Sequence, residues 1–474
     1  MYNQNMEILK KQNWTMIVSL LLWITITLIR VLHHSPWYDE AHAWLIAQEL
    51  NLIEIFKLMK IEGHTFLWYL CLMPFAKSNF MYPYSMLLLN WLFCFIAVLI
   101  IWLKSPFSNW VKILITFSFP FFALYPVVAR CYSIGIMFLF LLASMEKSKL
   151  KHPNWYALLL VLCANTSVMA SVGATVFGGL FLYELVKNKK NLLIPTVIML
   201  LGAILFLVQL FGSTDDIVWE HSPMGMWFFN NIFFHSRIVN VVLLAIFSVL
   251  YTIFYIKNKA FPIFLTCSYF ILFIIICVYS GHLWHWFFFY IYFLISIWLS
   301  FDRSEIKWGK IYISIFLCVI SFIYVVYKPF TGLYNYVWHD KSKYLANSII
   351  KNENHDNLNV IIQSFNYYPL IPFLNKTKIK LSNYCSGEVC GYDTTMFTRS
   401  KYCYVSPTGA NTDLVYEQID KVYDANRKNI ILCDKNDGVF RIIGKDKAFL
   451  FTPAKVNKND SASIYFVEKI NYKP

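Results

Sequence analysis

Ser35-Pro36-Trp37-Tyr38-Asp39-Glu40-Ala41-His42-Ala43-Trp44 sets two adjacent carboxylates and an imidazole among aromatic rings, directly after the first long apolar run. Pro36 favours the first turn of a helix, and the acids then fall near the positive end of the helix dipole. On such a helix Asp39 and His42 stand three positions apart and share a face. A carboxylate pair walled by Trp37, Tyr38 and Trp44 is suited to taking a proton from a hydroxyl. The same ten residues also read as a solvated loop that starts a helix, so the rest of the chain must decide.

Further along, Glu62-Gly63-His64 opens a short apolar stretch. Gly63 lets the backbone turn, and His64 either donates to an anion, orients a carboxylate, or merely caps the helix. Arg130, two residues before Tyr132, would hold a phosphate with its planar fork of donors, or snorkel to the headgroups. The acids and His64 around it favour the first role. Asp215, Asp216, Glu220 and His221 read as a solvated loop that could cover a cavity. His282 and His285 flank Trp284 at the mouth of a late apolar run and are weaker candidates for phosphate contact. An interfacial aromatic belt accounts for Trp284 by itself.

The elements that must position these groups lie in a membrane. Of 474 residues 58% are hydrophobic and 14% charged, and apolar runs of about 20 residues alternate with short basic clusters. The first run, 15–32, is too long for a signal-peptide core and lacks a small-residue cleavage site, which makes it a span. Further spans are expected at 82–103, 111–127, 131–145, 155–169, 170–186, 191–211, 236–256, 260–280, 283–300 and 308–327, about 11 in all. An amphipathic piece at 45–60 and the stretch 66–76, too short to cross, are expected to lie in the interface.

Lys10 and Lys11 place the N-terminus inside. Alternation from there puts Lys104, Lys112, Lys147, Lys149, Lys151, Lys187, Lys189, Lys190, Lys257, Lys259, Arg303, Lys307 and Lys310 on the same side. Were 66–76 to cross, every later cluster would move outside. The 41 basic against 27 acidic residues therefore reflect orientation and give no reason to invoke nucleic acid. All the polar motifs above fall on the extracytoplasmic side.

After Tyr327 the chain turns polar. Helices are expected at 341–352 and 413–426, and strands at 359–363, 401–406, 429–434 and 463–468: a small extracytoplasmic α/β domain. The division is 1–327 for the membrane part and 328–474 for the tail. Most of the eleven cysteines lie in apolar runs as small hydrophobes. Cys385 and Cys390 would pair in an oxidising compartment, and the spacing is no zinc signature.

The run Trp37-Tyr38-Asp39-Glu40-Ala41-His42-Ala43-Trp44, followed by Glu62-Gly63-His64 and Phe66-Leu67-Trp68-Tyr69, resembles the first outer loop of the GT-C glycosyltransferases. These include protein O-mannosyltransferases and aminoarabinose transferases. Ala129-Arg130-Cys131-Tyr132-Ser133 and Ala164-Asn165-Thr166-Ser167-Val168 extend the likeness to a bacterial branch, over roughly residues 10 to 185. Thr65 departs from it, since the branch more often has proline there.

The resemblance implies a GT-C fold and a sugar donor linked through phosphate to a polyprenyl lipid. It implies Asp39 as general base and Glu40 as its orienting partner or a sugar contact. Arg130, with His64 and Tyr132, would neutralise the leaving phosphate. Trp37, Tyr38, His42, Glu62, His221 and His282 complete the expected substrate-binding set. A divalent metal, magnesium or manganese, stays open because Asp39 and His42 share a face, but two ligands are too few to claim one. The acceptor stays open among protein, lipid and glycan. An O-antigen-type polymerase or ligase would keep its large functional loop in the second half. A flippase or transporter would show charged or broken helices at mid-membrane and internal repeats.

Overall fold

The computed structural model describes residues 2–62, 64–210, 260–278, 283–301, 341–352, 357–362, 365–374, 377–383, 412–433, 439–443, 447–453 and 463–471. The expected spans at 236–256 and 308–327, the strand at 401–406, Asp215–His221, His282, Cys385 and Cys390 lie outside them. The chain divides into two compact units. One comprises Met1–Leu32, Glu62–Trp68 and Leu87–Tyr336; the other comprises His33–Ile61, Tyr69–Met86 and Val337–Pro474.

In the first unit, α1 (Tyr2–Leu32) stops short of Pro36, and α5 (Tyr84–Lys104), α9 (Val168–Lys187) and α10 (Leu193–Leu210) follow the expected runs. Among the described residues these three and Trp14–Leu32 of α1 are long and apolar enough to cross a membrane. α7 (Tyr132–Met145), α8 (Pro153–Ala164), α11 (Ala260–Val278) and α12 (Leu283–Phe301) are further apolar helices among the unit's described residues. The α8–α9 boundary is set by Ser167, whose hydroxyl accepts from Ala170 N at 3.1 Å and so caps α9.

The span expected at 111–127 is not continuous. Helix α6 (Asn109–Thr116) is eight residues long, about 12 Å, far short of a bilayer core. Pro120 and Pro126 cause the break, because each removes an amide donor and crowds the preceding turn. The chain instead makes one π-helical turn, Pro120–Leu124, and then runs in turns to Cys131. Carbonyls freed by the break are met from other helices. Trp23 Nε1 donates to Phe121 O at 2.8 Å, Arg30 to Phe122 O at 3.2 Å, and Asn90 and Ser133 each to Tyr125 O at 2.8 Å. Irregular backbone is tolerated in such a protein only when other side chains satisfy it in this way. This buried irregular stretch ends at Arg130.

Not every loop lysine is a bare topology signal. Lys149 is buried, with Nζ bonded to Glu146 and 3.0 Å from Glu184, while Tyr156 Oη donates to Glu146 at 3.1 Å.

In the second unit, the piece expected to run through 45–60 is two helices, α2 (Tyr38–Glu49) and α3 (Leu52–Glu62). Asn51 separates them by accepting from Ile53 N and Glu54 N, at 3.0 and 3.1 Å, while Glu54 accepts from Asn51 N at 2.8 Å. Helix α4 (Leu67–Ala76) begins where expected. The tail is a six-stranded mixed sheet. Its strands are β1 (Leu358–Ile362), β2 (Lys380–Asn383), β3 (Lys428–Cys433), β4 (Phe440–Ile443), β5 (Lys447–Pro453) and β6 (Ser463–Asn471), in the order β2-β1-β3-β6-β5-β4. β1 pairs parallel with β2 and β3, and the remaining pairs are antiparallel.

Alternation along the strands gives two cores. Val360, Ile362, Ile430 and Leu432 pack with Leu345 and Ile349 of α13 (Lys341–Asn352) on one face. Ile361 and Ile431 pack with Phe449 and with Ile419 of α14 (Thr412–Val422) on the other. Leu45 of α2 belongs to the first core, and Tyr82 Oη and Asn79 Nδ2 donate to Pro369 O and Pro372 O, at 3.3 and 3.0 Å. The acid-bearing helix is thus built into the tail's own core.

Candidate active site

Tyr38 opens α2, and Asp39 and Glu40 fall in its first turn as expected. The two acids are placed differently. Asp39 is half-buried, whereas Glu40 is fully buried. Glu40 Oε2 accepts from Trp37 N at 3.0 Å and lies 2.9 Å from His34 Nε2. An ionised carboxylate only accepts, so His34 Nε2 carries the hydrogen. Glu40 therefore pins the entry to the helix, one half of a capping box with an imidazole added. Trp37 and Tyr38 meet edge to face at 4.6 Å, and His42 stacks on Tyr368 at 6.1 Å, which fixes its ring. Asp39 and His42 do stand on one face, and among the described residues no three His, Cys, Asp or Glu side chains gather as for a metal ion.

In the other unit, His64 and Arg130 meet although 66 positions apart: Arg130 Nη2 donates to His64 Nε2 at 2.9 Å, and both are buried. Arginine has no acceptor, so His64 is neutral there and its hydrogen sits on Nδ1. Burial first, and then the Arg130 charge, hold the His64 pKa down to about 3, against an upward pull from Glu62. Tyr132 stands edge-on to His64 at 6.0 Å, and its Oη lies 2.7 Å from His285 Nε2. The result is one buried cluster from three places in the chain: the bend at His64, the end of the broken span, and the first turn of α12.

Three buried polar atoms between His64 and Trp68 have no hydrogen-bond partner among the described residues: His64 Nδ1, Thr65 Oγ1 and Trp68 Nε1. A buried donor left unmet costs about 1–3 kcal/mol, and three such groups stand within five residues on the stretch whose His64 meets Arg130. Sequence reasoning gave Thr65 no role, and Trp68 entered only as part of a motif. Proline at position 65 would supply no hydroxyl. His285 was a weaker candidate in the sequence, and its contact with Tyr132 is what distinguishes it.

No protein-family model matches the chain, and no curated protein matches it. Among solved structures it is similar to ArnT from Cupriavidus metallidurans, crystallised with undecaprenyl phosphate bound. The identity is 9%, the match covers 96% of this chain and 98% of that one, and the TM-score is 0.52. A likeness at that identity speaks to architecture. The chain is an integral membrane protein with the GT-C fold, its apolar helices joined to a C-terminal α/β unit.

Proposed function

We propose that the protein is an inverting glycosyltransferase that moves a sugar from a polyprenyl-phosphate donor to a hydroxyl acceptor on the extracytoplasmic side of the membrane. The observation that carries this reading is the buried Arg130–His64 pair. With His64 neutral, the pair offers a guanidinium and adds an N–H at Nδ1 without a second cation. Such donors suit a phosphate monoester oxygen whose charge grows as the anomeric C–O bond breaks. Thr65 Oγ1 and Trp68 Nε1 are assigned to the same task. Tyr132, held by His285, stands edge-on to His64.

Asp39 is assigned the base. It takes the acceptor's proton as that oxygen attacks the anomeric carbon, and the polyprenyl phosphate leaves with the bonding electrons. Glu40, already engaged by His34 and Trp37 N, keeps the turn in shape so that Asp39 is presented. That ArnT was crystallised with undecaprenyl phosphate supports a lipid phosphate as the donor's carrier.

The test is transfer by the reconstituted protein, assayed with a panel of polyprenyl-phosphate sugars. Turnover with at least one sugar, lost in Asp39→Asn and Arg130→Gln, is the expected result. Turnover undiminished in both variants would remove these residues from the reaction.

A further inference from the structure

Helix α10 is apolar along its 18 residues, and its buried positions are Pro195, Gly202 and Gln209, spaced i, i+7 and i+14 on one stripe. Gly202 lets it close on α8, since a Cβ there would come within 2.2 Å of the Val161 side chain. Gln209 is the odd member: a fully buried amide in a helix otherwise fit for lipid. An amide in that setting is costly unless its hydrogen bonds are met. Here they are met. Oε1 accepts from Phe66 N at 2.9 Å, and Nε2 donates to Asn165 Oδ1 at 2.9 Å and Leu205 O at 2.8 Å. The Asn165 side chain in turn donates to Val161 O at 2.9 Å, and its main-chain carbonyl accepts from Leu67 N at 3.4 Å. Phe66 and Leu67 are the entry to α4, where backbone N–H groups have no partner within the helix. The Phe66 donor is therefore taken by the Gln209 side chain, and the Leu67 donor by the main-chain carbonyl of Asn165, whose side chain Gln209 holds.

We infer that Gln209, through Asn165, is a positioning residue for the His64–Trp68 corner, fixing where His64 meets Arg130 and where its Nδ1–H points. The inference rests on the phosphate-binding role given above to that corner. It assigns a task to Asn165-Thr166-Ser167, a motif the proposed reaction leaves unused. It also explains a lone polar residue in an apolar helix.

The experiment uses the full-length protein in nanodiscs, with undecaprenyl phosphate as the probe. Gln209→Met removes all three side-chain hydrogen bonds at nearly constant volume. Gln209→Glu is the conservative variant, because a carboxyl buried there stays protonated and keeps an acceptor for Phe66 N. Hydrogen–deuterium exchange should accelerate in peptides covering 64–70 of Gln209→Met, with the other helices unchanged. Undecaprenyl phosphate affinity should fall about tenfold, a typical cost for one well-placed hydrogen bond, and Gln209→Glu should restore both. Unchanged exchange at 64–70, or acceleration over the whole chain, would overturn the inference. So would faster exchange with full affinity in Gln209→Met when Arg130→Gln has lost affinity. If Arg130→Gln also binds normally, the phosphate role of the corner fails, and the exchange data alone decide whether Gln209 holds it.

Discussion

Two buried histidines sit beside an ionised partner, and the partners have opposite signs. His34 lies 2.9 Å from the Glu40 carboxylate, so its Nε2 donates. His64 lies 2.9 Å from the Arg130 guanidinium, so its Nε2 accepts and its Nδ1 carries the hydrogen. At the first, the imidazole and a backbone N–H use Glu40 and leave a tied structural turn. At the second, the imidazole turns a cation's hydrogen bond into an N–H on its far side. One ring chemistry thus serves a fixed turn near the proposed base and an oxygen-binding corner at the proposed phosphate. Lesions in the two regions should part company in what they damage.

The largest separation is expected from Asp39→Asn. A positioned base contributes about 10²–10⁴-fold, so turnover should fall by that factor while undecaprenyl phosphate affinity stays within about twofold. Single-turnover transfer alongside a binding titration reads both. Arg130→Gln should do the reverse, costing about 10²–10³ in kcat/KM with most of it in donor binding. Arg130→Lys should recover only part, because a point charge cannot reproduce the fork that meets both a phosphate and His64. A matched loss of turnover and binding in both variants would erase the distinction between the regions.

Smaller, and diagnostic of the structural turn, is Glu40→Gln. The amide still accepts from one donor, but its own N–H groups face groups that donate, at about 1–3 kcal/mol. A lower melting temperature with donor affinity retained is the expected pattern. A rise in stability would remove Glu40 from its pinning role.

How far the sequence carried varied with the range of the interaction. The helix that carries Asp39, Glu40 and His42 was legible because proline, acids and helix spacing act within ten residues, and helix 341–352 starts and stops where its pattern does. The Asn51–Glu54 capping box was also local and readable, but a continuous amphipathic pattern masked it. Pro120 and Pro126 gave warning of the broken span, yet hydropathy averages over single prolines. The contacts of His285 and Gln209 were out of reach for another reason. Their partners stand 153 and 143 positions away, and no periodicity reports a hydrogen bond across that distance. The short strands β2, β4 and β5 draw their stability from neighbours in the sheet, which a segment of four to seven residues does not reveal.

The smallest effect expected tests the electrostatic half of the comparison alone. The His64 pKa is lowered from 6.5 to about 3 in the folded protein, by burial and then by Arg130. Between those values the unfolded chain binds a proton at this site and the folded chain does not, so folding loses stability as pH falls through that window. The slope from one such group is at most about 1.4 kcal/mol per pH unit. His64→Gln keeps a donor and an acceptor but removes the titration, so its melting temperature should fall less than the wild type's between pH 6.5 and 4. Arg130→Gln should flatten the profile less, because burial, the larger cause, remains. Were the His64→Gln and wild-type profiles parallel, His64 would not be a neutral ring held beside a cation. The Nδ1–H that distinguishes it from His34 would then have no basis.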